Sequence, residues 1–111
     1  MTKIYLEKDE VFGYGKITVS GHSGYADEGS DIICAYISSA CELILSILAD
    51  EVSADIEMDI NPGKAFIGIC IPRSEDNLNK SEVSSVCLGG FRRQMEEFSK
   101  QFPKFVSITI A

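Results

Sequence analysis

The order of its segments predicts an α+β protein: one mixed or mostly antiparallel sheet covered by two helices, in the order ββαββαβ. Three observations carry this prediction. Short runs alternate apolar and polar residues near both ends and in the middle of the chain. Two longer stretches, residues 32–48 and 78–102, repeat apolar residues at helical intervals. Turn-forming residues separate these runs, without linker, repeat or low-complexity segment.

Each element has its own grounds. In residues 2–7, Ile4 and Leu6 share one face while Lys3, Tyr5 and Glu7 share the other, as in a half-buried strand. The polar turn Lys8-Asp9-Glu10 leads into a second strand over 11–20, which makes a hairpin. Residues 32–48 are apolar around most of the helical circumference, which predicts a helix buried on several sides. Ser38, Ser39, Glu42 and Ser46 interrupt that stretch, so it is read as a core helix and no membrane contact is expected. Residues 55–60 alternate strictly and form the clearest strand; Asn61-Pro62-Gly63-Lys64 is a turn, and 65–71 return as a more apolar strand ending at Pro72. The second helix lies within 78–102, with Val83, Cys87, Phe91, Met95 and Phe98 at helical spacing and Pro103 beyond its end. Gly89-Gly90 inside it implies close packing or a local kink. A closing strand follows, with Val106, Ile108 and Ile110 on one face.

At 111 residues the chain is expected to form one domain over 1–111 with a single core. With 45% hydrophobic and 24% charged residues, global disorder is excluded. The net charge of −7 argues against direct nucleic-acid binding, where clustered Lys and Arg are expected, and is compatible with a basic peptide or protein partner. The N-terminal residues show no apolar run followed by a small-residue cleavage site, so no secretory signal is expected and the reading is cytoplasmic. Cysteines at 34, 41, 70 and 87 lack C-x-x-C spacing and are read as reduced thiols; no metal site and no cofactor are expected.

The chemistry is concentrated in residues 21–35. His22, the only histidine, sits on a glycine-rich stretch, and Cys34 follows twelve residues later where the first helix begins. Ser30 or Asp31 suits the N-cap position. With Asp31 as cap, Cys34 is the third helical residue, where the positive end of the helix dipole favours a thiolate over a thiol. An imidazole beside it would take the thiol proton, and helix-end amides would bind a developing oxyanion. The stretch thus holds the parts of a cysteine nucleophile. Against this stand two ordinary readings, since free cysteines are commonly buried hydrophobes and a lone loop histidine is commonly a solvated side chain.

Gly21-His22, Gly24-Tyr25-Ala26, Gly29 and Asp31-Ile32-Ile33-Cys34-Ala35 followed by Ser38 resemble the ribosomal-processing cysteine protease family, Prp. Length and element order resemble that family along the whole chain, while the specific motif occupies residues 21–38. Ile33 stands where the family commonly has Val, and bulky Tyr36 where small residues are frequent. The resemblance implies a cytoplasmic endopeptidase that removes the N-terminal extension of large ribosomal subunit protein twenty-seven, cutting next to an aromatic residue. It implies His22 and Cys34 as the catalytic dyad, and it implies a homodimer. Excess apolar surface on the first helix points to a homodimer as well.

Other residues admit two readings each. Asp31 either orients His22 or caps the helix, and Ser38, one turn beyond Cys34, either hydrogen-bonds near the site or is an ordinary buried serine. Cys41 is read as core, and Ser23 as a loop residue. Gly21, Gly24, Tyr25 and Gly29 make up a substrate loop able to close on an extended peptide, or an ordinary connection. The alternative to a protease is a non-catalytic ribosome-associated interaction module; a thiol redox sensor built on Cys34 is the weaker third.

Overall fold

The computed structural model describes residues 1–22 and 31–111. The elements run β1 (Thr2–Asp9), β2 (Gly13–Ser20), α1 (Ile32–Ser46), β3 (Glu57–Asn61), β4 (Phe66–Cys70), α2 (Glu75–Asn79), α3 (Ser81–Gln101) and β5 (Val106–Ile110). The five strands form one sheet in the order β3-β4-β2-β1-β5. Three pairings are antiparallel, and β1 with β5 is parallel, so the sheet is mixed as expected. The parallel pair needs a long crossover, which the rest of the chain provides.

Register puts the apolar residues of each strand on one face. Ile4 pairs with Val19, Leu6 with Ile17, and Ile17 in turn with Ile69. These side chains join Ile33, Ile37, Cys41 and Ile44 of α1 and Leu88, Phe91 and Met95 of α3 in one buried cluster. The other face of the sheet carries Lys3, Glu7, Lys16, Glu57 and Asp59 in the open.

The hairpin turn is built on Asp9, whose Oδ1 accepts the backbone N–H groups of Val11 (2.8 Å) and Phe12 (3.1 Å). Its other oxygen takes the Arg73 guanidinium at 3.1 Å. Phe12 therefore belongs to the turn and fills the core, and β2 begins only at Gly13.

Three expectations are corrected. The first helix is buried along one stripe rather than on several sides: Ile33, Ile37, Cys41 and Ile44 face inward while Ile32, Tyr36 and Leu43 are exposed. It continues through a π-helical turn, Ile47–Glu51, so that Ile32–Glu51 is by length and composition apolar enough to span a membrane. Its inner stripe, including Leu48, is committed to the sheet and α3 instead. Ser53, at φ 58°, then reverses the chain, and the Ala54 N–H bonds the Leu48 carbonyl.

Gly89 and Gly90 do not serve close packing within the chain: a Cβ at either meets no atom within 4 Å beyond its own helix, and α3 continues through both. A separate short helix, α2, precedes α3. Its Asn77, buried, accepts the Asp55 N–H and donates to the Asp55 and Pro72 carbonyls. Finally, β3 alternates as predicted but buries neither side. Met58 and Ile60 share the helix-side face with Ile69 and Ile67, yet are 55% and 52% exposed. The two helices do not reach over this edge, and the uncovered strip becomes one wall of a cleft.

Candidate active site

The cleft lies between α1 and the β3–β4 edge and has a volume of about 380 Å³. Cys34, Ser38 and Glu42 line it from α1, one turn apart each. Ile60, Phe66 and Ile67 line it from the sheet edge, with Pro62 and Ala65 from the turn between the two strands. His22 and Gly21 close one end, beside Thr2. The structure therefore brings His22, Cys34, Ser38 and Gly21 to one cavity. Gly24, Tyr25 and Gly29 lie outside the described residues, as does Ser23.

Cys34 owes its place to the cap of α1. Asp31, 6% exposed, has an extended backbone, and its Oδ1 accepts the N–H groups of Ile33 and Cys34, each at 3.1 Å. The capping role expected of Asp31 is thus present. Cys34 is the third helical residue, half-buried, in the first turn where the helix dipole favours negative charge. Because those two amides already donate to a carboxylate, they are not the vacant oxyanion donors that the sequence reading assigned to the helix end.

His22 is placed by the chain just before it. Gly21 has φ +85°, and a Cβ there would stand 2.7 Å from the Met1 carbonyl oxygen. Only glycine combines that backbone angle with that approach. The Gly21 N–H donates to the Ala65 carbonyl at 2.9 Å, and the buried Thr2 hydroxyl donates to the Gly21 carbonyl at 3.2 Å. Ala65 itself is left-handed, at φ 49°, after the Pro62–Lys64 turn that Asn61 caps. His22 thus leaves a junction at which the N-terminal strand, β2 and the β3–β4 turn are tied together.

The remaining sequence readings sort by position. Ser38 is exposed and faces the cleft, so it is not a buried serine. Tyr36 points away: it stacks on Phe98 of α3 with ring centroids 6.2 Å apart and does not line the cavity. Cys41 is fully buried, and its thiol is pushed up to about 12, first by burial and then by the adjacent Glu42 carboxylate. It stays a protonated thiol, as a core residue should. None of the four cysteines is in a disulfide. Thr2, Glu42 and the β3–β4 residues of the site carry no motif. Only the exposed alternation of Met58 and Ile60 on an edge strand hinted at a cleft there.

A thiol in the first turn of a capped helix, an imidazole at the same cavity and a sheet edge left open beside them are the parts that cysteine-peptidase chemistry uses. The chain belongs to the cysteine protease Prp family, whose model matches residues 1–107. No curated protein matches it. Among solved structures it is similar to the essential ribosomal processing protease Prp from S. aureus, in complex with a covalently linked product peptide. The TM-score is 0.84 at 12% identity, with all of both chains covered. The same S. aureus protease in complex with a substrate peptide gives 0.82 at 11% identity, again over both whole chains. SMU.848 from Streptococcus mutans gives 0.84 at 17% identity, over 99% of this chain and 93% of the other. At these identities the likeness establishes the α+β fold.

Proposed function

We propose that this protease removes the N-terminal extension of large ribosomal subunit protein twenty-seven in the cytoplasm, with Cys34 as nucleophile and His22 as proton carrier. The observation that carries the reading is the shared cleft, where the first-turn thiol and the imidazole meet a wall able to take an extended peptide. The peptide complexes of the S. aureus relative support the same use of the same fold.

His22 takes the Cys34 proton, and the thiolate sulfur attacks the scissile carbonyl carbon. The tetrahedral intermediate collapses, the C–N bond breaks, and His22 returns the proton to the leaving amine. Water, deprotonated by His22, then attacks the thioester; the carboxylic acid leaves and the thiol is restored. The apolar wall of Ile60 and Ile67 suits an aromatic side chain beside the cut. Incubation with the cognate ribosomal protein, followed by mass spectrometry of its N-terminus, tests the substrate. The extension disappears with the wild type and persists with Cys34→Ala and His22→Ala. An intact extension with the wild type refutes the assignment. Alkylation of Cys34 that is independent of His22 would favour the interaction module instead.

The assembly proposed is a homodimer through the outer seam of α1 and α3. Leu43, Val83 and Val86 there are 63%, 54% and 72% exposed, beside a shallow apolar groove that includes Ala40, Cys87 and Gly90. Apolar surface of this kind is normally covered by a partner.

A further inference from the structure

Of the described side chains that line the cleft, one, Glu42, carries a fixed charge. Glu42 is exposed on the cleft wall, two turns of α1 beyond Cys34, and among the described residues no Lys or Arg lines the cavity or pairs with Glu42. Around it the walls are apolar: Ile37 at the base and Ile60 and Ile67 opposite. A carboxylate at the end of an apolar trough discriminates by charge, since a cation there gains an ion pair and an anion meets repulsion.

We propose that Glu42 selects peptides carrying a Lys or Arg at a set distance from the scissile bond, a specificity that rests on the protease reading above. Geometry sets the distance. Eight residues of helix separate Cys34 from Glu42, a rise of about 12 Å. An extended peptide advances about 3.3 Å per residue, so the side chain that meets Glu42 belongs three or four residues from the carbonyl held at Cys34. The intervening substrate residues lie against Ile60 and Ile67. The overall charge of −7 attracts any basic peptide, but it does not tell one position from another. Position dependence is therefore the signature of Glu42.

The test uses peptides of identical composition, an aromatic residue at the cut and one lysine moved along the flanks, plus a set with glutamate in its place. For the wild type, kcat/KM is expected to peak with lysine three or four residues from the cut, by roughly five-fold, the scale of a partly exposed ion pair. The gain is expected in KM. Glu42→Gln should flatten the peak, and Glu42→Lys should invert it, favouring glutamate at that position. The same peptides, fluorescein-labelled, are titrated against Cys34→Ala forms of each protein, which reports charge selection without turnover. Cleavage with an unchanged position profile in both Glu42 variants overturns the inference and leaves the protease reading intact. Position-selective binding that follows the charge at 42, without cleavage by the Cys34-bearing proteins, upholds the inference and overturns the protease reading. Neither binding nor cleavage overturns both.

Discussion

Two residues at the N-terminal junction decide where His22 stands, and neither bears catalytic chemistry. The Thr2 hydroxyl holds the Gly21 carbonyl, and Gly21 allows the close pass beneath Met1. Thr2→Val keeps the shape and deletes the donor, which should cost about 1 kcal/mol of stability. It should also lower kcat more than it raises KM, because His22 loses one anchor. Thr2→Ser, which keeps the hydroxyl, should recover the rate. Steady-state kinetics on the three proteins decide this, and equal kcat values would assign Thr2 a packing role alone. Gly21→Ala should be more severe, since the left-handed angle and the 2.7 Å approach both oppose a Cβ. His22 and Cys34 could be singled out as candidates in the sequence because their chemistry and spacing are local, and the structure brings both to one cleft. Thr2 and Glu42 could not be, because each is an unremarkable residue until folding brings it to the cleft.

Among the elements, the β1–β2 hairpin is sensitive to pH through Asp9. Burial alone would raise its carboxyl, but the Phe12 and Val11 amides and the Arg73 guanidinium hold it below the ordinary value. A depressed carboxylate stabilises the fold above its unfolded value and loses that contribution as pH falls through the folded one. Stability should therefore decline below about pH 4, the unfolded Asp range, and Asp9→Asn should show a shallower decline. Thermal melts between pH 6 and 2 would measure the difference; parallel curves would contradict it. Helix α3 offers the opposite kind of test. Gly89→Ala enters open space in an unbroken helix, so it should stabilise the protein by roughly 0.5–1 kcal/mol. An increased urea midpoint at constant slope would confirm it. The helix itself was readable from its 3.6-residue period, whereas the role of its glycines was not, because a Gly-Gly pair records permission to pack and never its use. The short helix α2 escaped notice for a similar reason: its five residues lack a period, and it is held by Ser74 and Asn77.

For the molecule as a whole, the outer α1–α3 seam should set the oligomeric state. Sedimentation at micromolar concentration is expected to show a dimer, and Leu43→Lys or Val86→Glu should shift it to monomer. A wild type that sediments only as monomer would refute the homodimer. The alternating runs, the turn residues and the two helical periods determined the mixed sheet and its helices, because hydrophobic period reports local geometry and the need to bury one face. The same information placed His22 and Cys34, whose chemistry depends on a helix start that Asp31 marks in the sequence. Where the helices stop short of the sheet was decided by packing alone. The alternation that makes β3 a strand is the same whether Met58 and Ile60 are covered or open. Only the packing of the helices, which leaves β3 as an uncovered edge beside α1, turns that strand into the wall of a cleft and Glu42 into part of it.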